Sequence, residues 1–193
     1  MSLPLFYTCN PVCSDGIIIG NDNGQKGDFT MDNIVLIGMP ASGKSTAGVV
    51  LAKLMGYDFI DTDLLIQRRE GQKLSEIIAE RGIGGFLAAE AAACLSLQTD
   101  RCVIATGGSA VYSPEGMAHL KSLGRVVYLE VPYDALVLRL HDVKGRGVVL
   151  RDGQTLMDLY DERVPLYRRY ADITVHEGNG ALEETVNAVL SKM

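Results

Sequence analysis

Residues 34–46 of this chain are Ile34-Val35-Leu36-Ile37-Gly38-Met39-Pro40-Ala41-Ser42-Gly43-Lys44-Ser45-Thr46. The residues that follow, 47–54, are apolar at helical spacing. An apolar strand, a G-x-x-x-x-G-K-S loop and a helix in this order form a P-loop, because its glycines let successive backbone N–H groups face one anion while the helix directs its positive end there. The sequence therefore predicts a nucleotide-phosphate site.

The loop predicts a role for each of its polar residues. Lys44 is expected to reach the β- and γ-phosphates, and the Ser45 hydroxyl is expected to ligate Mg²⁺. The predicted phosphate-site residues are Gly38, Pro40, Ala41, Ser42, Gly43, Lys44, Ser45 and Thr46.

Length and composition favour one α/β domain. The chain has 193 residues, of which 47% are hydrophobic, enough for one substantial core. No apolar stretch approaches the roughly 20 residues of a membrane span, and the first residues lack the basic flank of a secretory signal, so we expect a cytoplasmic monomer without membrane partners.

A net charge of −6 argues against a broad nucleic-acid surface, because such a surface neutralises many phosphates. Without a C-x-x-C pair, we expect reduced thiols at Cys9, Cys13, Cys94 and Cys102.

Periodicity divides the chain into two parts. Residues 1–31 are rich in Gly, Asn and Asp and lack a period, so we expect a flexible N-terminal extension before a single domain over 32–193. From residue 33, short apolar runs alternate with segments of helical period, which predicts βαβ units and a parallel sheet. The predicted strands are 33–37, 57–60, 102–106, 125–129 and 172–175. The predicted helices are 44–55, 63–70, 74–81, 86–98, 114–121, 134–140, 155–170 and 182–191.

Polar and glycine residues follow two of these strands. In parallel sheets ligands bind outside the carboxyl ends of strands, so Asp61 and Asp63 suit a Mg²⁺ ligand and a group that takes the proton of an attacking hydroxyl. Capping of the next helix is the alternative for these two residues. Gly107 and Gly108 predict either close approach of backbone amides to a ligand or an ordinary tight turn.

A segment with glycines and interspersed bases covers residues 142–153. It predicts a mobile lid that brings Arg146, with Arg151 as a second candidate, onto the transferring phosphate. A solvated loop with routine charges is the alternative.

Together these motifs resemble the shikimate kinase family, small P-loop kinases that transfer the γ-phosphate of ATP to a hydroxyl of shikimate. The similarity runs from about Met31 to the C-terminus. Besides the P-loop, it rests on Asp61-Thr62-Asp63 followed by Ile66, on Phe86 with Glu90, on Gly107-Gly108, on Arg146, and on Arg163-Val164-Pro165-Leu166-Tyr167.

The resemblance implies a P-loop kinase sandwich, with helices on both faces of a five-stranded parallel sheet of order 2-3-1-4-5. It implies ATP and Mg²⁺ as cofactors and a small-molecule substrate. By this resemblance the catalytic residues are Lys44, Asp63 and Arg146; Ser45 and Asp61 serve Mg²⁺; Arg139 packs against adenine and Arg146 contacts phosphate; and Asp63, Glu90, Gly107, Gly108 and Arg163 form the substrate site.

Three departures from the family pattern touch the acceptor side. Leu87 stands where the family has an arginine that grips the substrate carboxylate, a contact worth on the order of 1.5–3 kcal/mol. Ser109 replaces the family's third glycine, and Gly147-Val148-Val149 follows Arg146 where the family has Pro-Leu-Leu.

Three alternatives to a shikimate kinase remain open at this point. Leu87 favours the same reaction on another hydroxylated acid, polyol or cyclitol. A nucleotide-binding relative without transfer activity has no need of both Asp61 and Asp63. A nucleoside monophosphate kinase needs basic residues for its acceptor phosphate, and residues 86–98 contain no Lys or Arg.

Overall fold

The architecture comes from a computed structural model, which describes residues 33–140, 150–151, 153–177 and 181–193. The predicted extension, residues 1–31, lies outside the described residues. So does most of the predicted lid, including Arg146.

Five parallel strands form one sheet in the described part of the chain, in the order β2-β3-β1-β4-β5. This confirms the order that the family resemblance implied. Each strand lies within about two residues of its prediction at either end, because buried parallel strands are short apolar runs with clear boundaries. The strands are β1 (Asn33–Ile37), β2 (Asp58–Asp61), β3 (Cys102–Ala105), β4 (Gly124–Glu130) and β5 (Ile173–His176).

Helices cover both faces of the sheet, and successive side chains of β1 pack alternately against the helices of one face and the other. Ile34 and Leu36 pack with residues of the first and last helices, whereas Val35 and Ile37 pack with residues of the middle ones. No helix of the described segments is long and apolar enough to cross a membrane. The helices are α1 (Lys44–Met55), α2 (Thr62–Glu70), α3 (Leu74–Leu95), α4 (Pro114–Leu123), α5 (Tyr133–Arg139), α6 (Leu156–Tyr170) and α7 (Leu182–Leu190).

Helix α3 consists of two helical segments that meet at Gly82 (φ 68°, ψ 179°). This confirms the two helices predicted at 74–81 and 86–98, although the second begins directly after Gly82 and ends at Leu95. Glycine tolerates this conformation without a Cβ clash, so the chain leaves helical geometry for one residue and resumes it. A short 3₁₀ helix, Ala110–Tyr112, was not predicted.

The contact between β1 and β4 requires a glycine. Asn33 of β1 lies opposite Gly124 of β4, and a β-carbon at Gly124 would overlap the Asn33 carbonyl oxygen. Asn33 is also buried, and its side chain bonds the backbone of Thr99, Leu123 and Cys102 at 2.7, 2.9 and 2.9 Å. These contacts fix where three strands of the sheet begin.

Gly124→Ala is expected to lower the free energy of unfolding by roughly 1–3 kcal/mol, because the added methyl group forces β1 and β4 apart. Gly84→Ala is the matched control: its β-carbon would meet nothing within 4 Å, and alanine favours the helix by up to about 1 kcal/mol. Urea unfolding of both variants measures the difference. Equal midpoints would contradict the close approach at Gly124.

Candidate active site

The loop between β1 and α1 has an unusual backbone. Gly38, Ala41 and Gly43 have positive φ values of 148°, 62° and 81°. For Ala41 this conformation costs on the order of 1 kcal/mol, and such strain is concentrated at functional sites. No side chain caps the start of α1, so its first N–H groups are available to a ligand.

The Lys44 ammonium lies inside this loop. The Nζ atom donates to the carbonyl oxygens of Gly38 and Met39 at 2.9 and 2.8 Å and to Ser42 Oγ at 3.3 Å. Burial lowers the pKa of Lys44 to about 8, although the charge of Asp63 partly opposes the shift. The loop therefore holds a desolvated cation close to the carboxylates of β2 and α2.

Asp61 caps α2 and also contacts Ser45; its role as a Mg²⁺ ligand stays a prediction. Its Oδ1 accepts from the backbone N–H groups of Asp63 and Leu64 at 3.0 and 3.3 Å and so caps α2, while its Oδ2 accepts from Ser45 Oγ at 2.6 Å. The two predicted Mg²⁺ ligands are thus in contact, although 16 residues separate them.

The donor chemistry of this pair fits Mg²⁺. A hydroxyl and a carboxylate are hard oxygen ligands, and Mg²⁺ is commonly bound by one or two carboxylates together with substrate phosphates. Among the described residues, no group of three His, Cys, Asp or Glu side chains is arranged to hold a metal ion.

Asp63 and Glu90 bring two carboxyl groups to Gly107. A β-carbon on Gly107 would overlap Glu90 Oε1 and lie 2.8 Å from Asp63 Oδ1, so only glycine leaves room for both. Asp63 Oδ1 and both carboxylate oxygens of Glu90 are buried without a well-formed hydrogen bond within the described residues. The Gly107 N–H donates to Thr62 Oγ1 at 3.0 Å, which fixes the backbone between the two acids.

Burial shifts the protonation of both acids. It raises the pKa of Asp63 to about 6, with a further rise from the charge of Asp61 and an opposing effect of Lys44. It raises the pKa of Glu90 to about 7, with Ser109 opposing the rise. Near neutral pH, the Asp63 carboxyl group is therefore largely ionised and can accept a proton, whereas the Glu90 carboxyl group is partly protonated.

Arg163 is the largest fully buried side chain of the described chain, with 1% of its surface exposed. It comes from α6, its Nε donates to Tyr112 Oη at 3.1 Å, and no ion pair among the described residues includes it. Because a buried guanidinium without a carboxylate partner is costly, this arrangement is typical of a site that binds an anion.

Arg139 lies at the outer edge of the P-loop. Its guanidinium pairs with the buried carboxylate of Glu177 and contacts the Ala41 carbonyl oxygen at 3.5 Å. This places Arg139 beside the loop, and its packing against adenine stays a prediction.

One cleft of about 620 Å³ brings most of these residues together, and Glu90 and Arg163 adjoin it at Gly107 and Gly108. Arg146 is the predicted site residue outside the described part. The cleft is lined by Pro40, Ala41, Gly43, Lys44, Ser45, Thr46, Asp63, Thr106, Gly107, Gly108, Arg139, Glu177 and Leu182.

Besides Thr106 and Leu182, which line the cleft, three residues at this site were missed from the sequence. Glu177 directly follows β5, so the rule that acids at carboxyl strand ends are site candidates would have found it. Thr62 lies within the quoted Asp61-Thr62-Asp63 triplet, but nothing indicated that its hydroxyl accepts from a residue 45 positions away. Tyr112 had no sequence signal.

The sheet order and the loop at the end of its central strand define a P-loop kinase. The family model described as "Shikimate kinase" matches residues 40–193. A shikimate kinase from Nitrosomonas europaea is 38% identical over 165 residues, which cover 83% of this chain and 78% of that protein. One from Thiobacillus denitrificans is 36% identical over 166 residues, covering 84% and 90%.

Solved structures of shikimate kinases are also similar to this chain. Shikimate kinase from Acinetobacter baumannii in complex with shikimate superposes with a TM-score of 0.78 at 34% identity, covering 85% of this chain and 93% of that one. Shikimate kinase from Aquifex aeolicus gives a TM-score of 0.72 at 32% identity, covering 82% and 94%. The chain belongs to the shikimate kinase family.

The raised pKa of Glu90 predicts a pH-dependent stability. Between its ordinary value of 4.5 and about 7, the folded chain keeps a proton that the unfolded chain releases, so Glu90 lowers the free energy of unfolding increasingly as pH rises through this window. The change that Glu90→Gln makes to the free energy of unfolding should therefore be more favourable at pH 8 than at pH 5. The difference between the two pH values should be at most about 3 kcal/mol.

Urea unfolding at both pH values measures this effect. Asp161→Asn, which removes a carboxylate from an exposed position of α6, is the matched control and should show no such dependence. A Glu90→Gln variant that is destabilised equally at both pH values would mean that the Glu90 carboxylate is well paired in the folded protein.

Proposed function

We propose that this chain is an ATP- and Mg²⁺-dependent kinase that phosphorylates a hydroxyl of shikimate, giving shikimate 3-phosphate and ADP. The observation that carries this proposal is the cleft, where the P-loop, the unpartnered oxygen of Asp63 and the buried Arg163 adjoin one another. The similarity to the Acinetobacter baumannii enzyme, whose structure contains shikimate, supports the choice of acceptor.

On the nucleotide side, the loop amides and Lys44 bind the triphosphate. The Lys44 Nζ exchanges its hydrogen bonds to the Gly38 and Met39 carbonyl groups for hydrogen bonds to phosphate oxygens. The negative charge of these oxygens favours the protonated form of Lys44. Ser45 and Asp61 hold Mg²⁺, which when bound neutralises charge on the phosphates. Arg139 packs against the adenine at the outer edge of the loop, and Arg146 remains the predicted lid residue.

On the acceptor side, Asp63 is the base. Its Oδ1 accepts the hydroxyl proton as the hydroxyl oxygen bonds to the γ-phosphorus and the bond from that phosphorus to ADP breaks. A pKa of about 6 leaves Asp63 mostly ionised at neutral pH yet basic enough to take the proton.

The remaining acceptor contacts come from the Gly107–Gly108 junction and its neighbours. The backbone there approaches the acceptor closely, since neither residue has room for a side chain. Glu90 supports the ring hydroxyls, and Arg163 binds the carboxylate through a charge-assisted contact.

ADP production with shikimate, compared with a panel of hydroxylated acids, polyols and cyclitols, tests this proposal. We expect shikimate to give the highest kcat/KM. Lys44→Ala should lower kcat by at least about 100-fold, because it removes a preorganised charge from the transferring phosphate. Preference for another member of the panel would support the alternative acceptor, and ATP binding without turnover of any acceptor would support a non-catalytic relative.

Leu87 offers a sharper test of how the carboxylate is bound. Its side chain packs against the core and lines a cavity of about 260 Å³ together with Glu90 and Ser109. Leu87→Arg is expected to lower the KM for shikimate by roughly tenfold, because it adds a charge-assisted contact to that of Arg163.

Leu87→Met is the control for this prediction, because it keeps an apolar side chain of similar volume and should leave the KM unchanged. An unchanged KM in Leu87→Arg would mean that the carboxylate is bound away from this cavity.

A further inference from the structure

Arg163 enters the acceptor site with one of its nitrogens already engaged. Its Nε donates to Tyr112 Oη at 3.1 Å. At the other side of the guanidinium, Nη1 faces Gly108, where a β-carbon would lie 3.1 Å from it and 2.9 Å from Pro40 Cδ. Nη1 therefore lies next to the junction at which the acceptor is proposed to bind.

Tyr112 also fixes the plane of this guanidinium. The Arg163 Cζ lies 5.1 Å from the centroid of the Tyr112 ring, within the range of a cation–π contact. Burial raises the pKa of Tyr112, so the phenol stays neutral at pH 7 and its oxygen is an ordinary acceptor for Nε. The hydrogen bond and the ring together restrict both rotation and translation of the Arg163 head group.

The backbone links Tyr112 to the acceptor site. Tyr112 ends the 3₁₀ helix Ala110–Tyr112, which begins directly after Gly107, Gly108 and Ser109, and its N–H donates to the Ser109 carbonyl oxygen at 2.9 Å. One short segment thus supplies both the glycine junction and the side chain that orients Arg163.

Tyr167 restrains the same junction from α6. It lies one helical turn after Arg163 and is fully buried, and its Oη donates to the Gly108 carbonyl oxygen at 2.6 Å. Its ring stacks on Tyr128 of β4 with centroids 5.1 Å apart. Tyr167 therefore restrains Gly108, and its hydroxyl also accepts a hydrogen bond from Arg163.

The apolar side chain of Leu87 makes the orientation of the Arg163 guanidinium important for the acceptor carboxylate. It lines the 260 Å³ cavity with Tyr112, and none of the residues lining that cavity is Lys or Arg. A carboxylate that binds two guanidinium groups stays bound when one of them is poorly oriented. With an apolar residue at position 87, the contact depends on a single guanidinium, which must be preoriented to bind without an ordering cost.

We propose that Tyr112 is a positioning residue for the acceptor, which orients Arg163 so that one guanidinium binds the acceptor carboxylate. This inference rests on the proposed function. It predicts that the importance of Tyr112 depends on the residue at position 87.

Steady-state kinetics with shikimate test this through a double-mutant cycle of Tyr112→Phe and Leu87→Arg. In the wild-type background, Tyr112→Phe should raise the KM for shikimate roughly fivefold, because it removes the acceptor of Nε but keeps the ring. The kcat and the KM for ATP should change less than about twofold. In the Leu87→Arg background, the same substitution should raise the KM for shikimate less than about twofold.

Tyr57→Phe is the matched control. Tyr57 lies beneath Arg101 at 5.0 Å, a similar pair, but it precedes β2 and so lies at the opposite edge of the sheet from the cleft. It should leave all kinetic constants unchanged. Circular dichroism of each variant establishes that it is folded.

Tyr112→Phe with an unchanged KM, or with an equal KM increase in both backgrounds, would overturn the inference and leave the proposed function intact. Parallel changes in kcat and in the KM for ATP would likewise overturn it, since they indicate a general structural role. Absence of shikimate turnover in the wild-type protein would overturn both.

Discussion

The pairing of β1 with β3 is the interaction on which the cleft depends. Thr106, at the end of β3, donates both its backbone N–H and its hydroxyl to the Leu36 carbonyl oxygen, at 3.1 and 2.9 Å. The P-loop leaves β1 two residues after Leu36, and Gly107 follows Thr106 directly. The phosphate loop and the glycine junction are therefore adjacent because their strands are, and β2 brings Asp61 to the same edge.

The site brings several buried charged side chains together. Lys44, Glu90 and Arg163 are buried, and Asp63 and Glu90 contain carboxylate oxygens without well-formed hydrogen bonds in the described residues. Such groups destabilise a folded chain unless a ligand pairs with them, so their presence together at one cleft favours a role in binding and catalysis rather than in stability. The two large apolar clusters on either face of the sheet offset this cost.

The nucleotide and acceptor ends of the cleft are built in different ways. The nucleotide end consists mainly of backbone groups from one continuous loop, with Lys44 and Ser45 next to each other in the chain. The acceptor end is assembled from side chains of α2, α3, α6 and the 3₁₀ helix around two glycines. In the proposed function, a departure from the family pattern such as Leu87 is therefore expected to affect acceptor binding and not the phosphate loop.

The local parts of this protein were predictable from its sequence. Strands and the helix after the P-loop have periods that depend only on neighbouring residues, and the P-loop geometry depends on glycines a few positions apart. The 2-3-1-4-5 order followed from family resemblance, because periodicity does not specify which strands are neighbours. The two helices predicted at 74–81 and 86–98 are present, and only the structure shows that the break between them is a single residue, Gly82, since a glycine permits a break without showing where the next helix begins.

Contacts between distant residues were decided only by the tertiary structure. Ser45 meets Asp61, Glu90 meets Gly107, and Arg163 meets Tyr112 across 51 residues of chain. Each of these contacts depends on how helices pack on the sheet, and no local pattern encodes that packing. The sequence by itself thus determined most of the chemical groups that the site contains. The fold added Glu177, Thr62 and Tyr112 and determined which groups are buried, which lack partners and which orient one another, because burial and distance are properties of the packed chain.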